Sequence, residues 1–514
     1  MTQDIGDVYT LQERETKKWF AFQIIQLREK QPKCEDWVAY IDLDYWSERK
    51  PTSDDLINMQ VLRLNHHFWE NGVQLCWAPC RWFPLKAEFV GNVPVLYDGE
   101  CKSYGKWPDG AQQKLTEKWL QLPTDQVTAY KHALDEWKRN KSLFFAGEEI
   151  RRGLWCVNDD RLDAIDDYSE LDKLQGLSRV ETTRYRPQLI PFLERRWLVR
   201  ELVWGHCGQK VLDLRSTHIE QLEVNDPDVQ EIYLPQGIQN VTLKGLLSPY
   251  LRIFSHDDGY SLALEVELQD DHLPDVGLPK LMKLVLNNIK DFDLSTIITR
   301  HPNLIWLGLN GYPGIINNVS CIKQLKELET LLIFDLFGFS YDDFPLPADL
   351  SNLQWLWLQS VPADAGKAIK RLYKNKIQDL VISKLRSNEW LQENMNNPLR
   401  HWDGSEFIPK SKYNKAVALW KETRHKIFDA AKEPKTFSDS ILSIASDYIE
   451  GFNKLDRRSG FIETEEREDI INAFESILDD VDLKIDRESL QKVMDEKKDL
   501  VIKMYGILIV GFTG

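Results

Sequence analysis

The sequence predicts an α/β chain whose centre is a solenoid with a parallel sheet, flanked by an N-terminal mainly β domain and a C-terminal helical region. Three observations lead there. A six-residue apolar pattern returns at near-constant intervals through the middle of the chain. The first 145 residues open with short β-like runs, GDVYTL, WFAFQIIQL and WVAYIDLDYW. Within the last hundred, SDSILSIASDYIEGF and EREDIINAFESILDD carry apolar residues at i, i+3 and i+4. The expected boundaries are 1–145 for the β domain, 146–208 for a linker and solenoid cap, 209–383 for the solenoid and 384–514 for the helical region.

At 514 residues the chain exceeds one ordinary core. With 42% hydrophobic and 28% charged residues and 18 tryptophans, it has the composition of a folded globular protein. A formal net charge of −16 disfavours nucleic acid and anionic membranes as partners and favours a neutral or basic protein. The opening MTQDIGDVYTLQERE has no basic-then-apolar leader. The apolar stretch MYGILIVGFTG at 504–514 falls short of the roughly 20 residues of a spanning helix. Seven scattered cysteines, an odd number, read as reduced thiols. A cytoplasmic protein is the expectation.

The repeats justify the solenoid. LMKLVL begins at Leu281, LIWLGL at Leu304, LETLLI at Leu328, LQWLWL at Leu353 and IQDLVI at Ile377. This resembles the leucine-rich repeat, L-x-x-L-x-L, and Asn287 and Asn310 follow the leucines as in that family. Upstream, IEQLEV at Ile219, VQEIYL at Val229 and IQNVTL at Ile238 repeat at about ten residues, with fainter copies at Leu212/Leu214 and Leu251/Ile253. A period that short has room for a strand and a tight return but no helix. The expectation is one narrow run of parallel strands over 209–254, an irregular join over 255–280, and wider repeats over 281–383. Such units bury their apolar face only by stacking.

In a strand, side chains alternate between faces. With the leucines inward, the concave face of the wide repeats would present Lys283, Val285, Trp306, Leu332, Phe334, Trp355, Trp357 and Val381. The short repeats would present Asp213, Glu223, Glu231, Tyr233, Thr242 and Arg252. Trp306 and Trp355, two strands apart, would lie on the order of 10 Å from one another. An apolar strip of this kind marks an interaction surface, and tryptophan is enriched at binding hot spots. The alternative reading is that another part of the chain, or a second copy, covers the strip.

The N-terminal block runs through GDVYTL, WFAFQIIQL and WVAYIDLDYW, then INMQVLRL, VQLCWAPCRWFPL and VGNVPVLYD, and is expected to close with a helix near 124–142. Its opening order of Gly-Asp, hydrophobic strand and aromatic-rich strand resembles small immunity proteins that neutralise bacterial polymorphic toxins. That resemblance implies a toxin as the partner. Two groups of residues in this block have the makings of a chemical site. Cys76 and Cys80 with Cys34, Cys101 and His66-His67 could ligate zinc, but no second matching pair follows, and buried structural cysteines fit better. Asp42 and Asp44 share a strand face and could do acid–base work; a solvated sheet face fits better.

In the link, the acids Asp159, Asp160, Asp163, Asp166 and Asp167 lack calcium-loop spacing and read as a solvated helix start. The segment PQLIPFLERRWLVRELVW is expected to cap the solenoid. After the repeats, NNPLRHWDGSEFIPKSKYNKAVALW resembles the segment that follows the repeats in bacterial leucine-rich-repeat proteins. Its His401 and Asp403 are two residues apart on a loop, with no nucleophile nearby. Helices are expected from about Ser411, through SDSILSIASDYIEGF and EREDIINAFESILDD, where Thr464 precedes two glutamates, to a fourth at DRESLQKVMDEKK.

No phosphate loop, dinucleotide fingerprint, nucleophile elbow or zinc-protease motif occurs. No catalytic, cofactor or metal residues are therefore assigned. The expected function is recognition of another protein through Trp306, Leu332, Phe334, Trp355 and Trp357, with Tyr233, Asp213, Glu223 and Glu231 steering and orienting the partner. An enzyme with a scattered site in the N-terminal domain and a self-associating scaffold stay open beside it.

Overall fold

The computed structural model describes residues 3–28, 36–269, 271–433, 437–457, 460–479 and 481. The chain divides into two compact units, Met1–Leu385 and Arg386–Gly514.

The first unit opens with strands β1 (Asp7–Gln12), β2 (Trp19–Arg28), β3 (Trp37–Ser47), β4 (Leu75–Pro79), β5 (Glu88–Asn92) and β6 (Ser103–Tyr104), ordered β5-β1-β2-β3-β4-β6. Alternation along β3 sends Ala39, Ile41 and Leu43 into one core with Val8 and Trp77. It sends Val38 and Tyr40 into a second core with Tyr9, Phe22 and Trp107. Both faces are thus buried. Helices α1 (Ala111–Leu120) and α2 (Thr124–Lys138) follow, the latter where a helix over 124–142 is expected. Although this block has its own sheet, it belongs to the same compact unit as the repeats.

A hairpin, β7 (Ser142–Phe145) with β8 (Glu148–Arg151), leads into β9 (Cys156–Val157), α3 (Asp159–Asp163), β10 (Arg179–Thr182), α4 (Leu189–Arg195) and β11 (Glu201–Gly205). Beyond them lie β12 (Val211–Asp213), β13 (Gln221–Asn225), β14 (Glu231–Tyr233), β15 (Asn240–Leu243), β16 (Arg252–Phe254) and β17 (Ala263–Glu267). The wide repeats supply β18 (Lys283–Asp293), α5 (Ser295–Arg300), β19 (Trp306–Asn317), β20 (Thr330–Phe337), β21 (Trp355–Gln359), α6 (Ala363–Tyr373) and β22 (Asp379–Ser383).

An 11-stranded sheet runs β22-β21-β20-β19-β18-β17-β15-β13-β11-β10-β9, and every neighbouring pair in it is parallel. The repeated leucines are its registration: Leu284, Leu307, Leu331, Leu356 and Leu380 stand side by side, as do Leu286, Leu309, Ile333, Leu358 and Ile382. All but the last of each row are fully buried. Four wide repeats carry a left-handed residue four positions after the Leu284-row leucine: Asn288 and Asp335 within β18 and β20, and Ser360 and Lys384 just past β21 and β22. That conformation is uncommon outside glycine, so its recurrence marks one bend used repeatedly.

Three expectations need correction. The long sheet starts at Cys156 rather than 209, because β9, β10 and β11 from the expected linker are its first strands. The expected join over 255–280 contributes β17, with Leu264 and Val266 in the core. The ten-residue repeats do not form one run. Alternate strands belong to different sheets: β11, β13, β15 and β17 to the long sheet, and β12, β14 and β16 to a parallel three-stranded sheet. Leu212, Ile232 and Ile253 of the smaller sheet share one core with Leu222, Val241 and Leu264 of the larger. A step within either sheet therefore takes about twenty residues, since the chain visits both sheets in turn.

The second unit holds α7 (Asn388–Asn394), α8 (Lys410–Ala430), α9 (Phe437–Asp456) and α10 (Thr464–Asp479) around Trp402, Trp420, Tyr448 and Phe474. The helix expected at DRESLQKVMDEKK and the apolar stretch 504–514 lie outside the described residues. Among the described residues no helix is long and apolar enough to cross a membrane.

Candidate functional site

The face of the long sheet opposite its leucines carries three rows of side chains. The first runs Lys283, Trp306, Thr330, Trp355, Asp379, and the second Val285, Gly308, Leu332, Trp357, Val381. Phe334 follows Leu332 by two positions and continues onto the third row beside Gln359. Leu331 and Ile333, on either side of Leu332, are fully buried, whereas Leu332 and Phe334 are half-buried, as alternation on a one-sided core requires.

In the first row Trp306 and Trp355 flank Thr330, and their rings lean together edge to face at 6.5 Å between centroids. Thr330 is buried between them. This is closer than the strand spacing alone predicts. The N-terminal block supplies the rest of the packing: Trp82 meets Trp355 at 6.2 Å. Around that contact Gln378 Nε2 donates to the Arg81 and Phe83 carbonyls at 3.0 and 2.9 Å. Arg14 donates to both Glu329 carboxylate oxygens at 2.8 Å, and Lys86 joins at 3.2 Å. Trp355 and Trp82 each bury an indole N–H that finds no acceptor among the described residues.

The second and third rows are less occupied. Trp357 Nε1 donates to Asp379 Oδ2 at 2.9 Å, which fixes its ring over β21 and β22. Leu332, Phe334 and Trp357 are half-buried, and Val381 is 41% exposed. These four lie on the adjacent strands β20, β21 and β22 and form one apolar strip.

Not all the expected site residues converge on it. Trp306, Leu332, Phe334, Trp355, Trp357 and Glu223 are on the long sheet, with Glu223 on β13, five strands from β20, about 24 Å away. Glu223 is paired with Lys244 at 3.0 Å. Asp213, Glu231 and Tyr233 lie on the three-stranded sheet and so do not line the face that holds the tryptophans. There Arg215 pairs with Asp213, holding that carboxyl below its usual range, and lies 4.6 Å over the Tyr233 ring. Tyr233 stacks on Phe254 at 4.6 Å and donates to Glu231 at 2.9 Å. The missed residue is Trp82, whose only sequence signal was the tryptophan inside CRWFPL.

The chemical candidates resolve into packing. Cys76 lies in one core of the N-terminal block and Cys101 in the other, while Cys34 is outside the described residues. Among the described residues no three His, Cys, Asp or Glu side chains gather so as to hold a metal ion. Asp42 is buried and Asp44 exposed, the latter accepting from the Gln60 N–H at 2.9 Å. Burial pushes Asp42 up to about 7, against a hydrogen bond from Gln113 and with help from the Asp109 carboxylate. Burial alone would raise Asp159, yet hydrogen bonds from Thr183, Arg186 and Thr182 hold it at about 2. His401 Nε2 meets Asp469 at 2.6 Å, while Asp403 takes Arg386, Trp390 and Lys410. His401 and Asp403 are thus separate structural anchors.

No protein-family model matches this chain, and no curated protein matches it. The functional reading therefore rests on the geometry of the strip.

Proposed function

We propose that this chain is a protein-recognition module, its long sheet forming the inner face of a leucine-rich-repeat-like solenoid. The partner is a protein that lays apolar side chains on Leu332, Phe334, Trp357 and Val381. One observation carries this reading: these four apolar side chains sit together, incompletely buried, on adjacent strands opposite a fully buried leucine core. Apolar clusters of this kind mark interaction sites, and a rigid sheet presents them with little ordering cost. Trp306 and Trp355 stand in the neighbouring row of the same face, where Trp355 is packed against both Trp306 and Trp82.

The net charge of −16 favours a neutral or basic partner. The sharper form of the proposal is an immunity factor whose partner is a toxin, in keeping with the order of strands at the N-terminus. Affinity capture from source-cell lysate, repeated with Leu332→Asp and Trp357→Ala proteins of unchanged circular dichroism, tests the reading. A partner held by the parent and lost by both variants supports it. An unchanged set of captured proteins removes the strip as the binding surface.

A further inference from the structure

At the other end of the junction between the N-terminal block and the long sheet, two adjacent histidines form a hydrogen-bonded chain whose protons can be placed from geometry. His66 Nε2 is 3.0 Å from Gln112 Oε1, an acceptor, so His66 donates there and its Nδ1 must accept. His67 Nδ1 lies 2.9 Å from that Nδ1 and is therefore the donor, which leaves His67 Nε2 as an acceptor. Facing it is the Arg200 guanidinium, which can only donate. The chain thus runs from Arg200 to His67 to His66 to Gln112, with one proton on each ring. His66, His67 and Gln112 belong to the N-terminal block, and Arg200 stands at the entry to β11.

We propose that this chain is an acid-sensitive clamp, fastening the N-terminal block to the rim of the long sheet while both imidazoles are neutral and releasing it when either takes a second proton. A second proton on His67 would set an N–H against the Arg200 N–H. One on His66 would set an N–H against that of His67. Among the described residues the hydrogen bonds of both rings run only along this chain. The groups packed around the pair are mostly cationic: Lys131 from α2, Lys118 from α1, and Arg200 itself. Two carboxylates near this rim are already engaged: Glu220 by Lys118 at 2.6 Å, lying 3.7 Å from Arg200, and Glu70 by Lys138, with the Lys131 charge beside it. Tyr130 and Trp119 close the remaining side, Trp119 with its ring 5.0 Å from that of His67.

Burial, then the Arg200 charge, lowers His67 to about 3, and burial lowers His66 as well. Because both fall below the unfolded value near 6.5, the clamp is fully present above that pH. Its contribution is lost as pH falls from about 6.5 towards 3.

The test is a histidine-ring NMR titration of the full chain, with His66→Asn and His67→Asn assigning the two rings. Asparagine tolerates the left-handed backbone of His67, at φ +49°, and does not titrate. Two rings that stay neutral at pH 5 are expected. Amide exchange over 64–69 and 200–205, corrected for its intrinsic pH dependence, should rise between pH 7 and 4.5 in the parent and change little in His67→Asn. Both rings titrating near 6.5, or exchange in the parent that ignores acid, would overturn the proposal. If His67→Asn does not fold, the parent's titration and exchange decide alone.

Discussion

Trp82 of the N-terminal block lies against Trp355 of the long sheet, ring centroids 6.2 Å apart, and among the described residues neither indole N–H has an acceptor. A contact that is apolar in its rings and unsatisfied at its nitrogens makes an unusual prediction. Trp82→Ala should destabilise the first unit by about 2 kcal/mol through lost burial. Trp82→Phe keeps most of the ring and removes a stranded donor, so its stability should stay within about 0.5 kcal/mol of the parent. Chemical denaturation of both variants checks the pair.

The two faces of β20 should respond differently to the same change. Leu331→Ala empties a fully buried position and should lower stability by about 3 kcal/mol. Leu332→Ala, one residue on and half-buried, should lower it by less than about 1 kcal/mol. Equal losses in denaturation would mean that the strip is core.

Gly314 answers to the backbone of its neighbour. A Cβ there would stand 1.9 Å from the Ile289 carbonyl oxygen, and no side chain can move out of the way. Gly314→Ala should therefore force β18 and β19 apart and lower the thermal midpoint by several degrees. A midpoint equal to the parent's would show that the strands separate freely at this bulge.

Asp42 gives a pH signature. Its folded value of about 7 lies above the ordinary carboxyl value, so its contribution is full below about pH 4 and is lost as pH rises to about 7. The loss is at most about 4 kcal/mol. Asp42→Asn should be more stable than the parent at pH 8, and the gap should shrink towards pH 4. Denaturation of both proteins at the two pH values reads it directly. A constant gap would contradict the buried, protonated carboxyl.

The wide repeats were legible because each places three apolar residues at L-x-x-L-x-L, and stacking turns that spacing into the in-register rows through Leu284 and Leu286. The ten-residue repeats misled for a physical reason. Leu222 and Ile232 carry the same pattern and reach the same core, yet come to it from opposing sheets, and a strand's own sequence does not encode which sheet it joins. That error put Tyr233, Asp213 and Glu231 on the wrong face. The first strands, β9 to β11, were hidden because Val180 and Leu202 sit in short, strongly charged stretches. Trp82 was unreadable as a partner of Trp355, since their meeting depends on how two sheets dock.

The central claim is that Trp357 and its neighbours form a binding surface while Trp355 belongs to internal packing. The most direct measurement is titration calorimetry of the captured, purified partner against the full chain and its Trp357→Ala variant. The account predicts an affinity loss of about 30-fold, corresponding to about 2 kcal/mol, in a variant that keeps the parent's circular dichroism while its melting temperature falls by a few degrees as Asp379 loses its indole donor. Parent-like affinity in a folded Trp357→Ala protein would contradict it.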